Sequence, residues 1–274
     1  MTQVRQPAVA GAFYPGEKTI LANDVETLLQ SAKINPAEID SASAIKAIIV
    51  PHAGYIYSGP VAASAYARLA AVRHTIKRVI LLGPVHRVPV RGLALPGVTA
   101  FATPLGEIEI DYPAVASLSN LPQVVVSPAA HAQEHSLEVQ LPFLQSVLDD
   151  FTLLPLAVGD ATAEEVAEVL EVLWGGPETL IVISSDLSHF LPYQAAQAID
   201  SKTVNNILSL RGALSHEQAC GGTPVNGLIL SARKHQLQPH LLDLRNSGDT
   251  AGDKNRVVGY ASFAFDEAIT EGGQ

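Results

Sequence analysis

Apolar positions gather in short runs along the chain, and these runs alternate with stretches of helical period. The runs at 44–50 (AIKAIIV), 78–83 (RVILLG), 151–159 (FTLLPLAVG), 180–185 (LIVISS) and 256–265 (RVVGYASFAF) have the length and branched content of buried strands. Helices are predicted over 18–32, 61–70, 134–148, 194–210 and 224–235, with Pro142 kinking the third of them. A further helix follows Thr162 and Glu165, which form a capping box ahead of Val166, Val169, Leu170 and Leu173 at helical spacing. Residues 88–127 are Pro-rich and irregular, with strand candidates at 108–110 and 124–126. The SASA stretch at 41–44 ends the first helix, and the closing TEGGQ reads as a frayed tail. Strands alternating with helices predict an α/β fold, a sheet covered by helices on both faces. The irregular middle and the final run call for some antiparallel pairing. The expectation is one domain over 1–274, built on a mixed, mostly parallel central sheet.

Composition narrows the partners. Of 274 residues, 47% are hydrophobic and 16% charged, enough to build a core and too apolar for disorder. Lys+Arg 17 against Asp+Glu 27 gives a net charge of −10, which repels phosphate backbones and anionic lipid, so neither nucleic acid nor a membrane surface is an expected partner. Mean hydropathy is high at +0.22, yet no unbroken apolar stretch reaches the ~18–20 residues of a membrane helix. The opening MTQVRQPAVAGAFYPG lacks the apolar core of a signal peptide, and a single cysteine precludes an internal disulfide. Both features predict a cytoplasmic protein.

Nine histidines and a cysteine in a Gly-rich stretch direct attention to metal chemistry. Three strand runs end alike: AIKAIIV leads into Pro51-His52, RVILLG into Pro84-Val85-His86, and LIVIS into Ser185-Asp186-Leu187-Ser188-His189. Ligands of open α/β sheets bind beyond the carboxyl ends of the strands, where these three imidazoles fall. Asp186 and His189 also fit a helix cap, or one face of a helical turn. Cys220, in CGGTP, precedes a helix whose N-terminus, or a metal, would stabilise a thiolate; a lone cysteine is otherwise a small buried hydrophobe. His131 to His135 spells H-x-x-E-H, the inverted zincin pattern. Pro128 makes 129–132 a loop, however, with a helix starting near Glu134, so His131 and His135 do not share a helical face. Glu134 and His135 are then left to face the site from a helix start. His74, His216, His235 and His240 lie in polar segments and read as surface residues, while Tyr55 and Tyr57 are candidates for either ligand binding or packing.

Seven segments in order resemble the Memo family: PAVAGAFYP (7–15), PHAGYIYSG (51–59), LLGPVHRVP (81–89), EHSLEVQLPF (134–143), SSDLSHF (184–190), CGGTP (220–224) and NSGDTAGDKNRVVGYA (246–261). That family is similar in fold to the class III extradiol dioxygenases of the LigB type. The resemblance implies one pocket on the strand rim, with His52, His86 and Cys220 as metal ligands and Asp186, His189 and His135 lining it in catalytic roles. It implies Fe(II) first, with Cu or Zn as competitors, a small-molecule or peptide ligand, and a functional link to a radical-SAM protein. The cysteine departs from the two-His, one-carboxylate iron site of those dioxygenases, so the fold does not carry the chemistry with it. Whether Glu134, Glu138 or Asp160 replaces Cys220 as third ligand stays open in the sequence. The leading expectation is a non-haem, iron-dependent redox enzyme. The alternative is a non-catalytic module that binds a peptide, a phospholigand or a metal ion. A metal-independent hydrolase or transferase, with Cys220 as nucleophile and His189 as base, ranks third.

Overall fold

A computed structural model describes residues 3–32 and 45–267. The 41–44 stretch, the first residue of the 44–50 run and the TEGGQ tail lie outside the described residues.

The strands are β1 (Val4–Arg5), β2 (Ile45–Val50), β3 (Arg78–Pro84), β4 (Leu93–Leu95), β5 (Ala100–Thr103), β6 (Gly106–Glu109), β7 (Val124–Val126), β8 (Thr152–Val158), β9 (Thr179–Ser184), β10 (His189–Leu191), β11 (Gln238–Asn246) and β12 (Val257–Asp266). Nine of them form one sheet in the order β10-β12-β2-β9-β3-β8-β4-β7, with β11 also paired to β12. Its centre, β2-β9-β3-β8, is wholly parallel, and β12 and β4 flank it antiparallel. β1, β5 and β6 make a separate three-stranded sheet.

The central strands are apolar on both faces, and their alternation splits the core in two. Ile48, Val50, Val79, Leu81, Leu180 and Val182 face one side. There they meet α1 (Lys18–Ser31) and α2 (Tyr55–Tyr66). Ala47, Ile49, Ile80, Leu82, Ile181 and Ile183 face the other. In chain order the remaining helices are α3 (Tyr112–Ser117), α4 (Pro128–Ala132), α5 (Leu141–Val147), α6 (Ala163–Leu173), α7 (Tyr193–Leu208) and α8 (Gly222–Lys234). Of these, α5 joins α1 and α2 on the first face, and α6, α7 and α8 cover the second. This is the predicted α/β architecture, and the Thr162–Glu165 capping box opens α6 as expected.

Three local readings need correction. Residues 134–148 are not one kinked helix: a 3₁₀ turn at Glu138–Gln140 leads into α5, and Pro142 sits in its first turn, where its missing N–H costs nothing. Residues 129–132 are not a loop, because Ser127 caps Pro128–Ala132 by accepting the Ala130 N–H. Residues 185–188 form no helical turn and Asp186 caps none. Leu187 N–H donates to Gly259 O, and Gly259 N–H donates to Ser188 O, tying this segment to β12. β11 carried no clear period in the sequence, since a register shift between Leu241 and Asp243 breaks its alternation at the sheet edge.

Candidate functional site

The four central parallel strands end on one rim. β2 runs into His52, β9 into Asp186, β3 into His86 and β8 into Asp160. Because β2, β9, β3 and β8 are neighbours, residues more than a hundred apart in sequence converge there. Cys220 arrives from the other direction, just before α8. Its backbone N–H donates to Asp186 O, and Gly221 N–H donates to Ser185 Oγ. A Cβ on Gly221 would lie 2.7 Å from the Ser185 side chain, so glycine is what allows this approach.

His52 is buried, and its Nδ1 is 2.9 Å from Ser184 Oγ. The Ser184 hydroxyl has one hydrogen, which it donates to Ser136 O at 2.6 Å, and it accepts from Gln140 Nε2 at 2.8 Å. The His52 Nδ1 must therefore be the donor, which leaves Nε2 with a bare lone pair. That Nε2 lies 3.2 Å from Cys220 Sγ. Burial, with His86 and His135 nearby, holds the His52 pKa well below the ordinary imidazole value, so the ring is neutral.

His86 is fixed by the same logic. Its Nδ1 is 2.9 Å from Glu134 Oε1, and its backbone N–H donates to Oε2. Burial raises the Glu134 pKa, but the bonds from His86 and from Ser136 N–H overcome it and hold the carboxyl at about 2. Glu134 is thus an acceptor only and the His86 Nδ1 carries hydrogen, so in the neutral ring the lone pair is on Nε2. The ligand atoms of His52, His86 and Cys220 all lie within 4.8 Å of one another.

His135 stacks on His86 at 4.7 Å and meets His52 edge-on at 5.5 Å. Burial brings its pKa down to about 4. His86, Glu134 and His135 form a second group of donors within the same span. Glu134 is less available than that grouping suggests, because it already accepts from the His86 ring and from three backbone N–H groups.

Asp186 accepts the His52 backbone N–H at 2.7 Å rather than an imidazole N–H. Burial raises its pKa to about 6, against the opposing pull of that N–H and of His189. His189 Nδ1 donates to Leu187 O at 2.9 Å, so in the neutral ring the lone pair is on Nε2. For Cys220, burial and the Asp186 charge push the thiol up to about 12, so the N-terminus of α8 alone does not make a thiolate.

The remaining candidates separate clearly. His131 donates Nε2–H to Ala94 O at 2.7 Å and stands outside both donor groups, so the H-x-x-E-H pattern does not act as a pair of ligands. Glu138 is occupied by Arg5, by the N–H groups of Ala8 and Val9, and by the Tyr14 hydroxyl. Tyr55 packs in the core with its hydroxyl on Val139 O, while Tyr57 is partly exposed. His74, paired with Asp149, and His240 are exposed as expected. His235 is not a free surface residue, since it stacks on Trp174 at 3.7 Å and bonds to Glu171. His216 is exposed as expected, and it also borders a pocket together with His86 and Cys220. Sequence reasoning also missed Ser184, Gln140 and Phe13, whose ring packs on His135 at 4.7 Å. Ser184 had a weak signal, its place at the end of a strand run; Gln140 and Phe13 lie within the Memo-like segments, which assign them no role.

Known proteins place the chain. The family model described as Memo-like protein matches residues 5–264. A MEMO1 family protein of Sulfurisphaera tokodaii is 36% identical, covering 96% of this chain and 99% of the relative. Another, of Methanosarcina mazei, is 35% identical over 95% of this chain and 98% of the relative. Among solved structures, the uncharacterized protein JW3007 from Escherichia coli K12 aligns with 80% of this chain and 99% of its own, at 13% identity and a TM-score of 0.48. No helix among the described residues is long and apolar enough to cross a membrane. With a family model spanning nearly its whole length and relatives matched end to end, the chain belongs to the Memo-like protein family.

Proposed function

We propose that this chain is a metal-dependent redox enzyme, with iron as the expected ion and with His52, His86 and Cys220 as its ligands. The observation that carries the reading is the matched orientation of two imidazoles. Ser184 engages His52 through Nδ1 and Glu134 engages His86 through Nδ1. In the neutral rings the lone pair of each is on Nε2, beside a sulfur. Metal-binding histidines are oriented in this way, the second nitrogen donating to a fixed acceptor.

The donor set fits a first-row transition metal. A neutral imidazole is the form that ligates, and burial keeps His52 neutral. A thiol pushed up to about 12 needs a cation beside it to lose its proton. Two nitrogens and one sulfur suit iron, copper or zinc over magnesium or calcium. When bound, a ferrous ion with three protein ligands supplies open positions for O₂ or substrate, together with one-electron chemistry.

The chain's own groups would supply the rest. His189, when neutral, holds a lone pair on Nε2 ready to take a proton, its other nitrogen fixed on Leu187 O. Asp186, near pH 6 by burial, holds or releases a proton close to neutrality while bracing the His52 backbone. His135 closes the third side of the imidazole cluster.

The test is metal content of protein purified without oxygen, comparing wild type with Cys220→Ser and His86→Ala. The expected result is about one iron per chain in the wild type, lost in both variants, with O₂ consumed only by the loaded protein once a substrate is supplied. Protein that holds no metal after anaerobic reconstitution with Fe(II), Cu(I) or Zn(II) would overturn the reading. Metal retained without turnover, and tolerant of His189→Ala, would recast the pocket as a binding site for a peptide, a phospholigand or the ion itself.

A further inference from the structure

The segment 7–15 supplies none of the donor atoms, yet it lies against the cluster. Phe13 packs its ring on His135 at 4.7 Å and accepts the Tyr55 N–H on its carbonyl at 2.8 Å, where α2 begins just beyond His52. One carboxylate holds the segment there. Glu138, fully buried, accepts from the N–H groups of Ala8 at 2.8 Å and Val9 at 3.0 Å, and from the Tyr14 hydroxyl at 2.7 Å. The Arg5 guanidinium donates to the same carboxylate.

Arg5 is itself buried, at the end of β1, which pairs with β5. Its Nε and one terminal nitrogen donate to His131 O at 3.1 and 3.0 Å, and that terminal nitrogen also donates to Glu134 O at 2.7 Å. The guanidinium carbon stands 5.2 Å from the centre of the Phe101 ring. The planar fork is therefore fixed by a carboxylate, two backbone carbonyls and an aromatic face. Replacing a buried ion pair by apolar groups of like size commonly costs no stability, so stability alone does not account for this one. Its effect is directional. Donors removed from water keep their acceptors in place, and one of those acceptors is the backbone of Glu134. The Glu134 carboxylate in turn holds the His86 ring and loop.

We infer that Arg5 is a positioning residue of the metal site. Its fork fixes the backbone at Glu134, and through the Glu134 carboxylate it sets the direction of the His86 imidazole. Glu138 couples the same fork to the segment that carries Phe13. The inference rests on the proposed function for the metal, and on geometry alone for the path from Arg5 to His86.

Arg5→Lys tests it, since it keeps a cation beside Glu138 and removes the planar fork. Zn(II) affinity of the full chain, read by competition with a chromophoric chelator, is expected to fall about tenfold, as when a group behind a metal ligand is lost. Arg5→Lys combined with Glu134→Gln is expected to fall short of the product of the two single losses by about fivefold or more, because both act on one ring. Tyr14→Phe takes a donor from Glu138 and leaves the fork on Glu134 O. It is expected to lower stability and to keep Zn(II) affinity within about twofold. Losses that multiply, wild-type affinity in Arg5→Lys, or an equal loss in Tyr14→Phe would overturn the inference.

A second readout needs no metal. A long-range nitrogen–proton NMR spectrum at pH 8 is expected to place the His86 hydrogen on Nδ1 in the wild type and to show mixed tautomers in Arg5→Lys. A wild type that takes up none of Zn(II), Fe(II) or Cu(I) sinks the metal reading and leaves this spectrum to decide. Mixed tautomers then sustain the path from Arg5 to His86, and an unchanged His86 overturns it. If Arg5→Lys does not fold, Arg5→Gln with Glu138→Gln removes both charges together and takes its place. Failure of both to fold would make the pair a purely structural one and overturn the inference.

Discussion

Glu134 holds His86 at two points, the ring nitrogen Nδ1 at 2.9 Å and the backbone N–H at 2.5 Å, so one carboxylate sets both the path of the loop and the direction of its imidazole. Glu134→Gln keeps the size and removes the charge. An amide offers one acceptor oxygen where four donors now share two. Losing such a partner typically lowers metal affinity about 10–100-fold. Titration against a chromophoric chelator should show that loss in Glu134→Gln with His86 still present. Wild-type affinity in the variant would mean that Glu134 braces the loop without tuning the ring.

Ser184 does for His52 what Glu134 does for His86, through a neutral group. Ser184→Ala strips an acceptor from His52 Nδ1 and from Gln140 Nε2, and a donor from Ser136 O, all of them buried. Gln140 keeps Pro51 O for one of its two amide hydrogens and loses the partner of the other. The cost is expected at about 1–3 kcal/mol in denaturant unfolding. A long-range nitrogen–proton NMR spectrum of the metal-free protein should place the His52 hydrogen on Nδ1 in wild type and show a mixture of tautomers in the variant. A His52 protonated on Nε2 in wild type would remove the argument that its lone pair is free for a ligand.

Much of this was legible before any coordinates. The strands announced themselves as apolar runs because they are buried on both faces, and three of them ended in His52, His86 and Asp186 because parallel neighbours share a rim. What hid was whatever depends on packing rather than period. His216 is the exposed turn residue it looked like, and only the fold shows that its turn borders the pocket beside His86. Ser184 and Gln140 act through hydrogen bonds made across the fold, which leave no periodic pattern in sequence. Residues 134–140 carried helical spacing, yet the Glu134 carboxylate binds the N–H groups of His135 and Ser136 and holds them out of a regular first turn.

The state of Cys220 separates two chemistries. Burial and Asp186 raise its thiol to about 12 in the metal-free protein. At pH 8 the thiolate is then a very small fraction, and its greater intrinsic nucleophilicity offsets only part of that deficit. Iodoacetamide should alkylate metal-free Cys220 on the order of a hundredfold more slowly than free cysteine, with a rate that climbs steadily through pH 10. Rapid alkylation at neutral pH, together with activity that survives chelation, would favour Cys220 as a nucleophile over Cys220 as a ligand.

His131 offers a prediction independent of any metal. Its ring is buried, Nε2–H donates to Ala94 O, and Nδ1 has no hydrogen-bond partner. A proton on Nδ1 would thus be buried unpaired, and burial brings the folded pKa down to about 4. In the unfolded chain the same ring titrates near ~6.5. Above that value both states are neutral and His131 favours neither. As the pH falls from about 6.5 toward 4 the unfolded chain takes up a proton that the folded one refuses, so stability is lost across that window and levels off below it. The gap corresponds to at most roughly 3 kcal/mol. His131→Gln keeps a donor for Ala94 O and cannot titrate. Urea unfolding at pH 7.5, 6, 5 and 4.5 should show the wild type losing more stability than the variant by up to that amount. His52 and His135, also depressed by burial, lose theirs in both proteins and cancel in the difference. Parallel curves for the two proteins would mean that His131 accepts its proton in the folded state, with water or a shifted Arg5 relieving the charge.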